Sequence, residues 1–501
     1  MSTVMPPRRS GVSASLARSK LGTSRVASFS LSAVAPLTVS GGVVPVAFAV
    51  TGLVGLAVVF PVAGAVLAVW AVGYTAMVRL VPNAGAIYAL VAHGLSRRIG
   101  VGAAFVAWGT YSCFAFALLG SIGASAGALA RDWAGVSAPW WVWALGASVL
   151  ASALGLAQVS IASRILGYLL LGEILIAVVY AVAFLLHPAD GGTVTFSALS
   201  PVHLADPGMG AAWALAITSF AGVEGGAVFS EESRSQRTVG RAIYISLAVA
   251  TTIYTLMAWA LPVTVGADKI VALSAAGGTE TIFTLAATYL PKPLIDLGLL
   301  FFVTSMFAAL VSFRSMCDRY GFSLGREGVL PAAFGRTSPR TSAPVTASHV
   351  MTVLSLAVIA VYAITDADPV VQLFYVWAGL GGFGVLVLLL LTSVAVVFYF
   401  ARHPAEAATV TRWQRQIAPA LATAALTVML LLVLANFDVL LGVDPSSPLR
   451  WALPAAFTVL AAVGLVWAQT LRSTRPHTYA AIGLGPDAIT DRTTNPPRET
   501  V

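Results

Sequence analysis

The sequence predicts an all-α integral membrane protein that crosses the bilayer twelve times, with its first and sixth helices discontinuous. Three observations predict this. Of the 501 residues only 10% are charged, 58% are hydrophobic, and the mean hydropathy is +0.88, whereas about a quarter of a soluble domain is charged. The apolar residues come in runs of about twenty or more, the length a spanning helix needs, and not in the ~10-residue alternating segments of a barrel. The basic residues alternate from seam to seam in the manner that orients membrane helices.

Taken in order, apolar segments fall at 27–51, 53–80, 100–128, 139–159, 164–186, 211–230, 239–263, 289–315, 345–365, 369–400, 417–437 and 450–471. Their seams hold turn-forming clusters: VPNAG at 81–85, HPADGG at 187–192, PRTSAP at 339–344 and DPSSP at 444–448. The chain divides into a group of five helices over 26–186, a second group of five over 211–400, and a final pair over 417–471. The tails, 1–25 and 472–501, are polar and rich in Ser, Thr, Pro and Arg. They bury too little apolar surface to offset chain ordering and are expected to be mobile. No short apolar core with a small-residue cleavage site follows the basic N-terminus, so no cleaved signal peptide is expected.

Twelve crossings put both tails on one face, expected to be the cytoplasmic face of the cell membrane. On that face fall all of the 28 Lys and Arg residues except Arg131, Lys269, Lys292 and Arg450. A wrong helix count would scramble this alternation. The net charge of +8 is therefore a topology signal, and a nucleic-acid partner is not expected.

Two glycine clusters lie inside spans. APLTVSGGVVP places Ser40, Gly41 and Gly42 between Pro36 and Pro45, and SFAGVEGG supplies Gly222, Gly225 and Gly226. Glycine permits close helix packing, and one cluster alone reads that way. Two, in spans one and six, take equivalent places if each half holds five helices, and interrupted helices at matching places mark a transporter binding site. The N-terminal end of a half-helix offers free N–H groups to a carboxylate, and a C-terminal end offers carbonyls to an ammonium. A zwitterion such as an α-amino acid satisfies both.

At these residues the chain resembles the amino acid–polyamine–organocation superfamily of permeases, over about residues 25–440. RLVPNAGAIYALVAHGL (79–95) resembles the family's signature after the second helix, FAGVEGGAVFSEES (220–233) its sixth-helix motif, and DRYGFSLGREGVLPAAFGRTSP (318–339) its loop after the eighth helix. The resemblance implies a leucine-transporter-like core of two inverted five-helix repeats plus two extra helices. It implies substrate contacts from Ser40, Gly41 and Gly42, with serine where the family has its first glycine, and from Phe220, Ala221 and Gly222. There the carbonyls would hold an ammonium and the aromatic ring would act as a gate. Gln236 and Gly240 stand where relatives have prolines, a departure confined to the loop beyond the motif.

A carboxylate at the centre of a span costs at least ~2.5 kcal/mol, so Glu173 in span five and Glu224 in span six are candidate proton carriers. The resemblance links the position of Glu224 to pH sensing in some antiporters; a neutral acid capping freed backbone is the alternative. Glu173 lies about where some proton-coupled relatives have a lysine. Thr304 and Ser305 in span eight match hydroxyls of a sodium site in sodium-coupled members, although membrane hydroxyls commonly bond their own helix. Trp108, Tyr111, Tyr375 and Trp377 are candidate pocket rings, and Trp140, Trp141, Trp143 and Trp451 are expected as interfacial anchors. Cys113 and Cys317 are expected to be buried thiols.

No metal or cofactor is expected. The chain has neither an H-E-x-x-H motif nor a phosphate-binding G-x-x-x-x-G-K-[ST] loop, so neither an enzyme nor direct use of ATP is indicated. The expected function is secondary active transport of an amino acid or related small amine by alternating access, with proton symport. The alternatives are an antiporter, a sodium-coupled symporter and a non-transporting amino acid sensor.

Overall fold

The computed structural model describes residues 15–488 apart from 18, 190, 191 and 207. Every regular element among the described residues is helical, and two isolated β-bridges, Leu21 with Ser233 and Thr337 with Pro344, are the remaining backbone pairings of strand type.

Among the described residues, length and composition qualify twelve helices as membrane spans, with the 20-residue Ile270–Tyr289 among them and the 17-residue Trp140–Leu156 left just short. Contacts at the helix ends exchange these two. The N–H groups of Lys20 and Leu21 donate to Glu232 O at 2.9 and 3.0 Å, and Arg234 N–H donates to Leu21 O at 2.9 Å. The chain thus enters its first crossing and leaves Met209–Glu232 on the same face, so an even number of crossings separates them. That count is even only if Trp140–Leu156, about 25 Å long at 1.5 Å per residue, crosses. Arg326, at the end of Lys292–Glu327, pairs with Glu231 at 2.7 Å, so Ile270–Tyr289 does not cross. It is two short helices, Ile270–Gly277 and Thr281–Tyr289, bent at Gly278 with φ 51°. Each is about 12–14 Å long and falls far short of a bilayer core of about 30 Å.

The twelve crossings are α1 Thr23–Thr51, α2 Leu56–Val78, α3 Arg97–Ala134, α4 Trp140–Leu156, α5 Val159–Leu186, α6 Met209–Glu232, α7 Arg237–Val265, α8 Lys292–Glu327, α9 Val345–Ile364, α10 Pro369–Arg402, α11 Trp413–Ala435 and α12 Leu449–Thr474. Their ends carry the expected stops and caps. Ser96 accepts from Ile99 N–H at the start of α3, Asp368 accepts from Val370 and Val371 N–H ahead of α10, and left-handed Gly135 and Gly328 close α3 and α8.

The central helix is α3, which packs against α4, α8, α10 and α12. Against α12 the backbones touch: a Cβ on Gly464 would lie 2.8 Å from Gly102 Cα, so small residues are required there. Helix α1 packs on α5, α7 and α8, which places its interruption inside the bundle.

On the face where α1 begins the mouth is closed. Arg319 pairs with Glu232 at 2.7 Å and lies over the Phe229 ring at 4.2 Å, while Arg326 meets Glu231 through two nitrogens at 2.7 and 2.8 Å. The segment expected as a free tail from 472 is instead packed here as far as Ala488. Pro476–Ala481 forms a helix, and the N–H groups of Gly483 and Gly485 donate to the buried Glu327 carboxylate at 2.7 and 2.9 Å. Asn83 and Tyr88 bond the same carboxylate. The signal is a polar tail whose backbone N–H groups find a buried acid, which composition does not register. The expected N-terminal tail is likewise tied down in its described part, with Leu16 and Leu21 buried, and residues 1–14 and 489–501 of the expected tails lie outside the described residues.

Candidate functional site

The interruption of α1 begins at Ala35. Pro36 has no N–H to donate to the preceding turn, and the residue before a proline is pushed out of the helical region. Ala35 accordingly adopts φ 49°, ψ 69°, a left-handed conformation that costs a non-glycine residue about 1–2 kcal/mol. The chain resumes as Pro36–Thr38, widens to a π-helical turn at Val39–Val43, and continues as Val44–Thr51.

The interruption of α6 follows Met209–Ser219. Phe220 and Ala221 leave the helix, and Gly222 takes φ 102°. A side chain is excluded there twice over, since a Cβ would also lie 2.5 Å from Ala33 Cβ. The helix resumes as a 3₁₀ winding over Val223–Glu232. Runs of that type rarely exceed three or four residues, so this half of α6 is held in a strained winding by its surroundings.

The two interruptions meet. Gly222 lies against Ala33, and the Tyr254 hydroxyl from α7 sits 2.7 Å from Val34 O and 3.1 Å from Ser219 O. These are the last carbonyls of the two first halves. Beside them lies a cavity of about 340 Å³. Its floor is Ala33, Val34, Ala35, Thr218, Ser219 and Ala221, and it runs to Val50, Val371 and Gly442, near helix ends on the face opposite the closed mouth.

The sequence-predicted residues divide among three places. Ala221 is on the cavity floor, whereas Phe220 and Gly222 stand behind it, the Phe220 ring packed edge-on against Tyr254 at 5.3 Å. The rings that face the cavity are Phe114, Phe313, Phe374 and Tyr375. Ser40, Gly41 and Gly42 are displaced from the break, which lies at Ala35–Pro36 one to two turns earlier. Ser40 Oγ donates to Pro36 O at 2.6 Å, a Cβ on Gly41 would lie 2.9 Å from Ile282, and Gly42 lines a smaller side pocket with Thr38 and Phe302. The cluster accommodates the wide π turn and close packing. The pre-proline rule applied to Ala35 was the signal that locates the break.

Glu173, fully buried on α5, reaches the restart of α1: its Oε2 lies 3.5 Å from Leu37 N, and its Oε1 has no hydrogen-bond partner among the described residues. Ser305 accepts from Thr38 N–H at 3.4 Å and from Thr38 Oγ1 at 2.9 Å. Thr304 is not part of this group, for its hydroxyl bonds Phe301 O on its own helix. Glu224 is buried behind the α6 break, accepting from Gly222 N–H and from Tyr111 OH at 3.0 Å each. Tyr74 OH donates to its backbone carbonyl at 3.1 Å. Trp377 is committed to Tyr362 at 2.8 Å, and Trp108 stays off the cavity wall. Cys113 and Cys317 are buried free thiols. Sequence reasoning missed Tyr254, which sits among Thr251, Thr252 and Thr255 in an uncharged span with no glycine or proline beside it.

A discontinuous pair of membrane helices around a closed-ended cavity is the geometry of a solute carrier, and the family comparison agrees. The family described as amino acid permease matches residues 21–464. The chain belongs to that family. The permease is thus a multi-pass membrane transporter of amino acids, and the match takes in all twelve crossings down to the middle of α12. No curated protein matches the permease.

Proposed function

We propose that the permease is a secondary active transporter that carries an amino acid, or a related small amine, across the cytoplasmic membrane by alternating access and proton symport. The observation behind this reading is the meeting of the α1 and α6 interruptions at one cavity, tied by Tyr254. Two helix C-terminal ends converge there, and their carbonyls suit an ammonium group. Two inverted repeats, α1–α5 and α6–α10, would give each half one interrupted leading helix. With the basic face cytoplasmic, the closed mouth at Glu231, Glu232, Arg319 and Arg326 is the inner one, and the cavity opens outward.

Glu173 is the proton carrier in this reading. It is buried at the restart of α1, and its Oε1 has no hydrogen-bond partner among the described residues. Glu224 has both oxygens occupied by donors and acts as the cap on Gly222 N–H. Protonating Glu173 would weaken its grip on Leu37 and let α1 move.

Uptake of labelled amino acids into proteoliposomes tests the site. Gly222→Leu should abolish uptake while the protein remains in the membrane at the wild-type level; undiminished uptake would remove the breaks from the mechanism. Uptake that demands amino acid on the far side would replace symport by antiport, and uptake driven by a sodium gradient alone would replace the proton.

A further inference from the structure

The cavity that meets the helix breaks is polar at one end only. Its floor is backbone from the two interruptions, and its walls are Phe114, Leu118, Ala309, Phe313, Val371 and Phe374. Among the described residues, no Asp, Glu, Lys, Arg or His lines it.

The Ser and Thr hydroxyls on its surface are already committed. Thr218 Oγ1 donates within its own helix to Ala214 O and Leu215 O, both at 3.0 Å, and Ser219 Oγ donates to Leu215 O at 2.8 Å. Thr38 Oγ1 donates to Ser305 at 2.9 Å. Three of the four lining hydroxyls thus present no free proton to a solute, and Tyr375 alone lacks such a bond. The Phe114 and Phe313 rings stack at 4.5 Å with 10° between planes and form a flat aromatic wall. A charged side chain placed against these walls would leave water with no counter-charge to meet, and buried charges are tolerated only when paired.

The N–H groups where each helix resumes are also taken, by the protein's own carboxyls. Glu173 holds Leu37 N–H and Glu224 holds Gly222 N–H. Val34 O and Ser219 O share the single Tyr254 hydroxyl proton and keep acceptor capacity, so the head of a solute meets carbonyls more readily than N–H donors.

We infer that the permease selects solutes with an ammonium head and an uncharged, bulky apolar body, in the manner of leucine or phenylalanine, and excludes those with a charged side chain. This rests on the proposed transport function and adds the substrate class. Either the amino acid or its decarboxylated amine presents this chemistry.

The test is competition for uptake in proteoliposomes, with labelled phenylalanine and leucine as probes. Unlabelled phenylalanine, leucine, phenethylamine, arginine and glutamate are the competitors. Arginine and glutamate at hundredfold excess should leave uptake within about twofold of its uncompeted value, whereas phenylalanine or leucine should abolish it. Inhibition by phenethylamine as strong as that by phenylalanine makes the amine sufficient; weaker inhibition makes the amino acid the preferred form, and both outcomes keep the class.

The variant Ala309→Leu adds bulk to the wall. It should raise the KM for phenylalanine about tenfold or more while changing that for alanine much less, a split that misfolding would not give. Uptake of arginine or glutamate with no competition from apolar amino acids would overturn the substrate class and leave transport standing. An unchanged phenylalanine-to-alanine ratio in Ala309→Leu would overturn the cavity wall as the selecting surface. Failure to move any amino acid, charged or not, would bring down the transport reading itself.

Discussion

At the scale of single residues, Tyr254 and the two glutamates have separable roles. Tyr254 OH shares its one proton between Val34 O and Ser219 O, carbonyls that the broken helices leave without an i+4 partner. Tyr254→Phe keeps the ring on Phe220 and removes only the hydroxyl. It should lower the unfolding free energy by about 1–3 kcal/mol, the cost of leaving buried polar groups unpaired, and should reduce uptake more than it reduces stability. Thermal unfolding of the purified variant beside its uptake rate measures both. For the glutamates, Glu173→Gln removes the titrating group next to Leu37, and uptake should become nearly independent of pH between 5 and 8. Glu224→Gln still offers one carbonyl oxygen to Gly222 N–H, and uptake should keep its pH profile at a lower amplitude. A flat profile in Glu224→Gln together with a normal one in Glu173→Gln would exchange the two assignments.

At the scale of elements, the permease holds its closed mouth with charge. Arg326 and Glu231 are nearly fully buried and paired through two nitrogens, and Arg319 joins Glu232 beside them. Removing one partner of a buried pair costs about 3–5 kcal/mol because the other charge is left alone. The 3₁₀ winding of Val223–Glu232 ends at these acids, so the pairs also hold that strained half-helix in place. Glu231→Gln should therefore favour the inward-open arrangement. A cysteine placed at Leu21, buried in the closed mouth, should react with a water-soluble maleimide several-fold faster in Glu231→Gln than in the parent. Equal rates would mean that packing, not charge, keeps the mouth shut.

At the scale of the whole molecule, the fold was legible because hydrocarbon imposes one rule on every segment. Twelve crossings followed from apolar length, and the backbone contacts of Leu21 with Ser233 support that count. The α6 break was legible too, since Gly222 must adopt φ 102° against Ala33. The α1 break was misplaced because glycine was weighed above proline: Ser40, Gly41 and Gly42 looked like a weak point, but Pro36 removes the donor and Ala35 bends. Tyr254, Phe114 and Phe313 were not legible as site residues because their roles depend on helix rotation, which an evenly apolar span does not encode. The docked tail was hidden for a related reason, as a polar stretch carries no mark of the buried acid that receives it. That tail gives α8 a handle outside the bilayer. Glu327 ends the helix whose Ala309 and Phe313 wall the cavity, and the last described turn of the chain hangs from it by two backbone bonds. A permease truncated before Pro476 should unfold at a lower temperature and transport with altered turnover, whereas a bulky reporter fused after the tail would tug on the solute's chamber from the far end of a lever.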